Sequence, residues 1–149
     1  MGEIRKEKQI VLTPLDIIEA PGGEVMHAMK ASSPGFHGFG EAYFSVIDYG
    51  VIRAWKKHNR MTMNLVVPVG QVRFVFCEEP GPGSSSFKEI ILSRENYQRI
   101  TVPPGIWFGF QGLDARPSVL LNLASIEHDP KEVERRQISE MDFDWSNQE

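Results

Sequence analysis

Turn-forming residues recur at short intervals through this 149-residue chain. They fall at Asp48-Tyr49-Gly50, Gly70-Gln71, Pro80-Gly81-Pro82-Gly83, Asn96, Pro103-Pro104-Gly105 and from Gly112 to Pro117. Between them lie short runs rich in β-branched and aromatic residues: 41–46, 51–55, 65–69, 72–77, 87–92, 98–102, 106–110 and 118–124. Many short strands at this spacing predict a β-sandwich or barrel. Gly70-Gln71 reads as a tight hairpin turn, and the EPGPGSSS segment at 79–86 as a hairpin loop. Helical signal is scarce. Asp129-Pro130 followed by 131–136 predicts a short C-terminal helix, with Asp129 as N-cap and Pro130 in the first turn. The acidic tail beyond it carries Phe143 and Trp145 as anchors.

The length fits one domain, 1–149, able to bury a core without staples. N-terminal strands and a glycine-rich loop occupy 1–40, and the short helix and tail occupy 129–149. Hydrophobic content of 41% and charged content of 24% describe an ordinary soluble globular protein. A net charge of −4 argues against nucleic acid as a partner, since phosphate-backbone binding needs a basic face. The lone Cys77 excludes an intrachain disulfide and reads as a small buried hydrophobe. The charged N-terminus has no signal-peptide core, and no window has the apolar length of a membrane span. The expectation is a cytoplasmic protein.

Charge is nonetheless concentrated locally. The stretch 50–70 carries Arg53, Lys56, Lys57, His58 and Arg60 between two strand-like segments. With 102–110 it reads as two sides of a small β-barrel enclosing a pocket for a small anion. His58 is the acid–base candidate, because imidazole titrates near neutral pH. Lys56, two residues earlier, shares its face by alternation and is either a base, if neutral, or a cation holding an oxygen. Strict alternation separates Arg53 from Lys56, so both reach one pocket only through a bulge near Trp55 or a strongly twisted strand. Trp107 is the stacking candidate for a base or sugar. Asn64 and Asn122 lie within apolar strands, where a ligand or a neighbouring backbone must satisfy their amides. His27, His37 and His128 are scattered, no His-x-His pair exists, and no metal site is expected.

Several of these pieces, in order, resemble the dTDP-4-dehydrorhamnose 3,5-epimerase family of sugar-nucleotide cupins. They are Gly50-Val51-Ile52-Arg53, Val69-Gly70-Gln71-Val72, Leu92-Ser93 with Glu95-Asn96, Pro103-Pro104-Gly105 with Gly109-Phe110, and Asp144-Trp145. Tyr43-Phe44-Ser45, Arg60-Met61-Thr62-Met63-Asn64 and His128-Asp129-Pro130 are similar to a shorter branch. The resemblance implies an all-β, cupin-like jelly-roll barrel, usually a homodimer, with a 4-keto-6-deoxy nucleotide sugar bound inside and no cofactor. In the family a histidine oriented by an aspartate removes the proton next to the keto group. Cations stabilise the enolate, and an opposite tyrosine returns the proton. Here Lys56 stands at the catalytic histidine position and Asn122 at the tyrosine position. Glu41 opens a strand where the family has a polar, barrel-facing side chain. Single-site epimerisation or keto isomerisation is therefore expected, with His58 or Lys56 as base and Arg53, Glu41, Asn64, Trp107 and Asn122 as substrate contacts. The alternatives are an inactive cupin that binds a sugar nucleotide or small anion, and an interaction module in polysaccharide biosynthesis.

Overall fold

A computed structural model describes residues 9–78 and 86–146. All but one residue of the expected loop at 79–86 lies outside them, as does the N-terminal segment 1–8. The described strands are β1 Val11–Pro14, β2 Ile17–Ala20, β3 Gly23–Met26, β4 Glu41–Ile47, β5 Ile52–His58, β6 Met63–Val69, β7 Gln71–Glu78, β8 Ser86–Ser93, β9 Gln98–Val102, β10 Ile106–Gly112, β11 Ser118–Ala124 and β12 Val133–Arg135. They form two five-stranded antiparallel sheets, ordered β1-β9-β6-β11-β4 and β12-β5-β10-β7-β8, and a β2-β3 hairpin. This is the expected jelly-roll layout.

Alternation sets what each sheet buries. Met63, Leu65 and Val67 of β6, Leu120 and Ala124 of β11, and Ile100 and Val102 of β9 face Phe74 and Phe76 of β7 and Phe108 and Phe110 of β10. These side chains form the core between the sheets. The outer face of the second sheet carries Trp55, Val75, Cys77 and Trp107, and the C-terminal tail seals it with Phe143 and Trp145. Arg73, also on this face, donates to the Trp145 carbonyl at 2.5 Å and to Gln111 Oε1 at 2.6 Å. The tail anchors and the buried cysteine are where the sequence placed them.

Two expectations are corrected. Gly70 joins β6 of one sheet to β7 of the other, so it is a corner rather than a hairpin turn. Its φ is +90°, and a Cβ there would lie 2.2 Å from Ser118 Oγ, so the corner requires glycine. Two adjacent apolar runs around a glycine do not reveal whether they pair with each other or with other strands. The C-terminal helix is also absent. Asp129 does cap Lys131 N, at 3.0 Å, but the turn ends as a 3-10 turn over Pro130–Glu132. The chain then becomes β12, which pairs with the edge of β5. Satisfying an open sheet edge outweighs propagating a one-turn helix.

The strand that matters most for function is irregular. Along β5 and β10, Lys56 faces Phe108 but Ala54 faces Gly109, leaving Trp55 as an extra residue. Of the two possibilities the side-chain pattern left, a bulge near Trp55 or a strongly twisted strand, this is the bulge. Trp55 joins the outer cluster, while Arg53, opposite the inward Phe110, and Lys56, opposite the inward Phe108, share the inner face. The bulge brings the strands close at Gly109, where a Cβ would lie 2.5 Å from Ala54 Cβ. Gly109→Ala is expected to destabilise the fold by roughly 1–3 kcal/mol through overpacking. Chemical denaturation measures this directly, and a neutral substitution would contradict the bulge register.

Candidate functional site

The bulge opens a cavity of about 370 Å³ between the two sheets. That is within the roughly 300–1,000 Å³ typical of small-molecule sites. One wall comes from the second sheet: Arg53, Lys56 and His58 of β5, Phe108 and Phe110 of β10, and Arg135 of β12. The other comes from the first: Tyr43 and Ser45 of β4, Met63 and Leu65 of β6, and Leu120 and Asn122 of β11.

Charge in this cavity is one-sided. The charged groups of Arg53, Lys56 and Arg135 face it, and among the described residues no carboxylate lines it. Lys56 and Arg135 are direct cross-strand partners, an arrangement that costs stability unless an anion lies between them. Burial, and then the nearby guanidinia of Arg135 and Arg53, hold the Lys56 ammonium below the usual lysine range. Among the described residues Lys56 Nζ makes no hydrogen bond or salt bridge. Arg53 is steadied by a 2.9 Å hydrogen bond to the Val46 carbonyl. A concave, partly apolar site with three such cations has the charge to hold a small anion, even in a chain of net charge −4.

His58 is 5% exposed and its Nδ1 is hydrogen-bonded to Glu132 Oε2. The other Glu132 oxygen accepts backbone N–H groups from Asn59, Arg60 and Met61 at 3.1, 2.8 and 3.1 Å. Burial alone would raise the Glu132 carboxyl. The His58 bond and the Arg60 and Met61 amides overcome that and keep it below the usual range. Burial is also the largest influence on His58 and depresses it, against the opposing pull of Glu132. The result is an ionised Glu132 beside a neutral imidazole. An ionised carboxylate accepts only, so the imidazole proton sits on Nδ1 and the lone pair on Nε2. His58 Nε2 is buried with no protein partner among the described residues, and His58 lines the cavity. A neutral imidazole oriented from behind by a carboxylate, with Nε2 unengaged, has the geometry that general-base chemistry requires.

On the opposite wall, Asn122 Nδ2 donates to the Tyr43 hydroxyl at 3.0 Å, and Asn122 Oδ1 is buried with no partner among the described residues. The structure thus brings together His58, Lys56, Arg53 and Asn122 from the sequence-derived set. It places the other three elsewhere. Glu41 is on the inward side of β4 but at its far end, paired with Ala124 and outside the cavity lining. Asn64 is on the outer face of β6. Its Nδ2 holds the Gly35 carbonyl, and its Oδ1 accepts from Arg99 Nε and Thr101 Oγ1, pinning the glycine-rich loop. Trp107 points outward beneath the tail cluster, with Lys57 and Arg136 over its ring. Neighbouring protein groups therefore satisfy Asn64, whereas Asn122 remains available.

Glu132, Arg135, Arg136 and Tyr43 were not singled out as site residues by sequence. Glu132 reaches His58 only because β12 returns to the β5 edge, 74 residues along the chain. No local spacing signals that return. Tyr43 was legible only as one aromatic among several on strands.

The comparisons with known proteins agree with this layout. A solved dTDP sugar isomerase from Desulfovibrio desulfuricans is 33% identical, with a TM-score of 0.88 over 95% of this chain and 94% of that one. The chain therefore belongs to the dTDP-sugar isomerase and epimerase family of cupins, as the sequence motifs indicated. A solved dTDP-4-dehydrorhamnose 3,5-epimerase from Sulfolobus tokodaii shares the fold, with 20% identity and a TM-score of 0.73 over 90% of this chain and 80% of that one. A probable low-salt glycan biosynthesis epimerase of Haloferax volcanii is 26% identical over 100 residues, 65% of this chain. That match spans 64% of the relative's length. No protein-family profile matches the chain. Among the described residues no helix is long and apolar enough to cross a membrane.

Proposed function

We propose that this protein is a cytoplasmic enzyme that abstracts a proton next to the carbonyl of a nucleotide-linked 4-keto-6-deoxy sugar. The product is the sugar epimerised at one carbon or its keto isomer. The observation that carries this reading is the His58–Glu132 pair, with Nε2 unengaged in a cavity lined by cations. Arg53 and Arg135 supply charge for a diphosphate, and Lys56 supplies a donor for the keto oxygen. His58 Nε2 takes the proton from the adjacent carbon. The electron pair moves onto the carbonyl oxygen, where the Lys56 ammonium stabilises the enolate. Glu132 stabilises the imidazolium that forms, and the same imidazolium can return a proton to carbon. Relatives support the substrate class. A ketoisomerase of similar fold from Thermoanaerobacterium thermosaccharolyticum was solved with TDP-4-keto-6-deoxyglucose.

Incubation with dTDP-4-keto-6-deoxyglucose, with the product identified by NMR, tests the proposal. Conversion to an epimer or keto isomer is expected. Tight dTDP binding with unchanged sugar would replace the proposal by a silent nucleotide-sugar binder. Neither binding nor turnover would favour the interaction module. The homodimer belongs to the same reading. Phe44, Val46 and Val69 stand exposed on the outer face of the first sheet, and sedimentation equilibrium measures whether two copies associate.

The pH dependence has a definite sign. His58 works unprotonated, and its depressed proton affinity keeps that form present below the ordinary imidazole value of about 6.5. Lys56 works as the ammonium, and its depressed affinity loses that form below the ordinary lysine value of about 10.4. The kcat/KM profile is expected to be a bell, with its acid limb below about 6.5 and its alkaline limb short of about 10.4. An acid limb above pH 7 would contradict a buried neutral His58.

A further inference from the structure

Resting on the proton-abstraction reading, the geometry points to Asn122 as the residue that chooses the reacting carbon. Its Oδ1 accepts a hydrogen bond from the hydroxyl on carbon 3 of the sugar, so His58 draws the proton from carbon 3 rather than from carbon 5. Asn122 lies on β11 between Leu120 and Ala124, which both face inward, and it lines the wall opposite His58. Its cross-strand neighbours are Leu65 on β6 and Tyr43 on β4. Only Tyr43 is polar, and its hydroxyl meets the amide through Nδ2, at 3.0 Å. Asn122 is 3% exposed, and its Oδ1 has no partner among the described residues. An amide oxygen left unpaired in such a place is costly. The donor that Oδ1 lacks can come from a ligand in the cavity.

A 4-keto-6-deoxy sugar has two carbons next to its carbonyl. Carbon 3 holds a hydrogen and a hydroxyl, and carbon 5 holds a hydrogen and a methyl group. Each carbon is tetrahedral, so a hydrogen aimed at His58 tilts the other substituent toward the facing wall. At carbon 3 that substituent is a donor, and it completes Asn122. At carbon 5 it is a methyl group, which leaves Oδ1 buried and unpaired. A site built to hydrogen-bond a hydroxyl strongly rejects an alternative that lacks it. The rest of the ligand does not compete for Oδ1, because keto and phosphate oxygens are acceptors and suit Arg53, Lys56 and Arg135. In the step, the C–H bond at carbon 3 breaks and its proton goes to His58 Nε2. The electron pair forms a double bond to carbon 4, whose carbonyl pair moves onto oxygen. The hydroxyl keeps its own proton, because a neutral amide accepts a hydrogen bond but not a proton. Return of a proton from His58 to carbon 3 restores the ketone.

Hydrogen exchange in deuterium oxide, followed by NMR, tests this with the wild-type protein and with Asn122→Leu. Wild type is expected to exchange the carbon 3 hydrogen of dTDP-4-keto-6-deoxyglucose, with carbon 5 slower by about 10²-fold or more. Exchange at carbon 3 of the 3-deoxy analogue is expected to be slower by a similar factor. Leucine is close to asparagine in shape and leaves no orphan amide, so the variant should melt near the wild-type temperature. Its preference for the hydroxylated sugar is expected to shrink to within about tenfold. The two wild-type measurements stand whatever the variant does. Wild-type exchange at carbon 5 as fast as at carbon 3 would overturn the role of Asn122 while leaving proton abstraction by His58 in place. Full preference retained by Asn122→Leu would do the same. No exchange at either carbon with wild type would overturn the proton-abstraction reading, and the role of Asn122 with it.

Discussion

Replacing His58 by asparagine is expected to lower turnover of dTDP-4-keto-6-deoxyglucose by about 10²–10⁴-fold, the usual worth of a positioned general base. Binding of dTDP should change little, because the cavity's cations are on other residues: Arg53, Lys56 and Arg135. Asparagine can still meet the Glu132 carboxylate through its amide N–H₂, so the loss is chemical rather than structural. The split between kcat and affinity is therefore diagnostic. A variant that loses dTDP affinity and turnover in parallel would make His58 a structural rim residue. Calorimetric titration of dTDP beside steady-state kinetics provides both numbers. Raising ionic strength should weaken dTDP binding in both proteins, since charge attraction supplies part of the affinity.

Changes at Glu132 are expected to separate stability from catalysis. Glu132→Ala leaves three backbone N–H groups and the His58 ring without their acceptor in a site where the carboxylate is 3% exposed. Removing one partner of a buried, charge-assisted network costs about 3 kcal/mol. For a chain of this size that lowers the melting temperature by roughly 6–12 °C. Glu132→Gln behaves differently. Its carbonyl oxygen can keep the three amides, which turns its N–H₂ toward His58 Nδ1. Nδ1 must then accept, the ring proton moves to Nε2, and the lone pair facing the cavity is lost. Turnover should fall about 10²-fold or more while most of the stability is kept. Activity retained in Glu132→Gln would show that the tautomer does not matter, and with it that His58 is not the base.

These outcomes depend on parts of the chain that differ in how readable they are. The β architecture was visible because turn residues interrupt alternating apolar runs, and both signals are local. The basic content of the site was visible for the same reason, since Arg53, Lys56 and His58 lie within one strand. Even the irregularity at Trp55 could be inferred in part, because Arg53 and Lys56 share one face only through a bulge or a strongly twisted strand, and the register shows the bulge. What stayed hidden is non-local. Glu132 was assigned to a helix because Asp129-Pro130 is a sound helix start. The competing gain, pairing β12 with the open edge of β5, depends on a strand 74 residues away. Asn64 and Asn122 had equal claims as amides in apolar strands. Only the packing shows that Asn64 is held by Arg99, Thr101 and Gly35, while Asn122 turns to the cavity. Trp107 illustrates the same limit. Alternation says that it opposes Phe108, but not which of the two faces is inside.

The central claim is that His58 Nε2 removes a carbon-bound proton inside this cavity, and hydrogen exchange tests it most directly. Wild-type protein and His58→Asn would be incubated in parallel with dTDP-4-keto-6-deoxyglucose in deuterium oxide, and the sugar ring protons followed by NMR. The account predicts that one proton signal next to the carbonyl disappears with the wild-type protein and persists with the variant. Loss of that signal at equal rates with both proteins would contradict it.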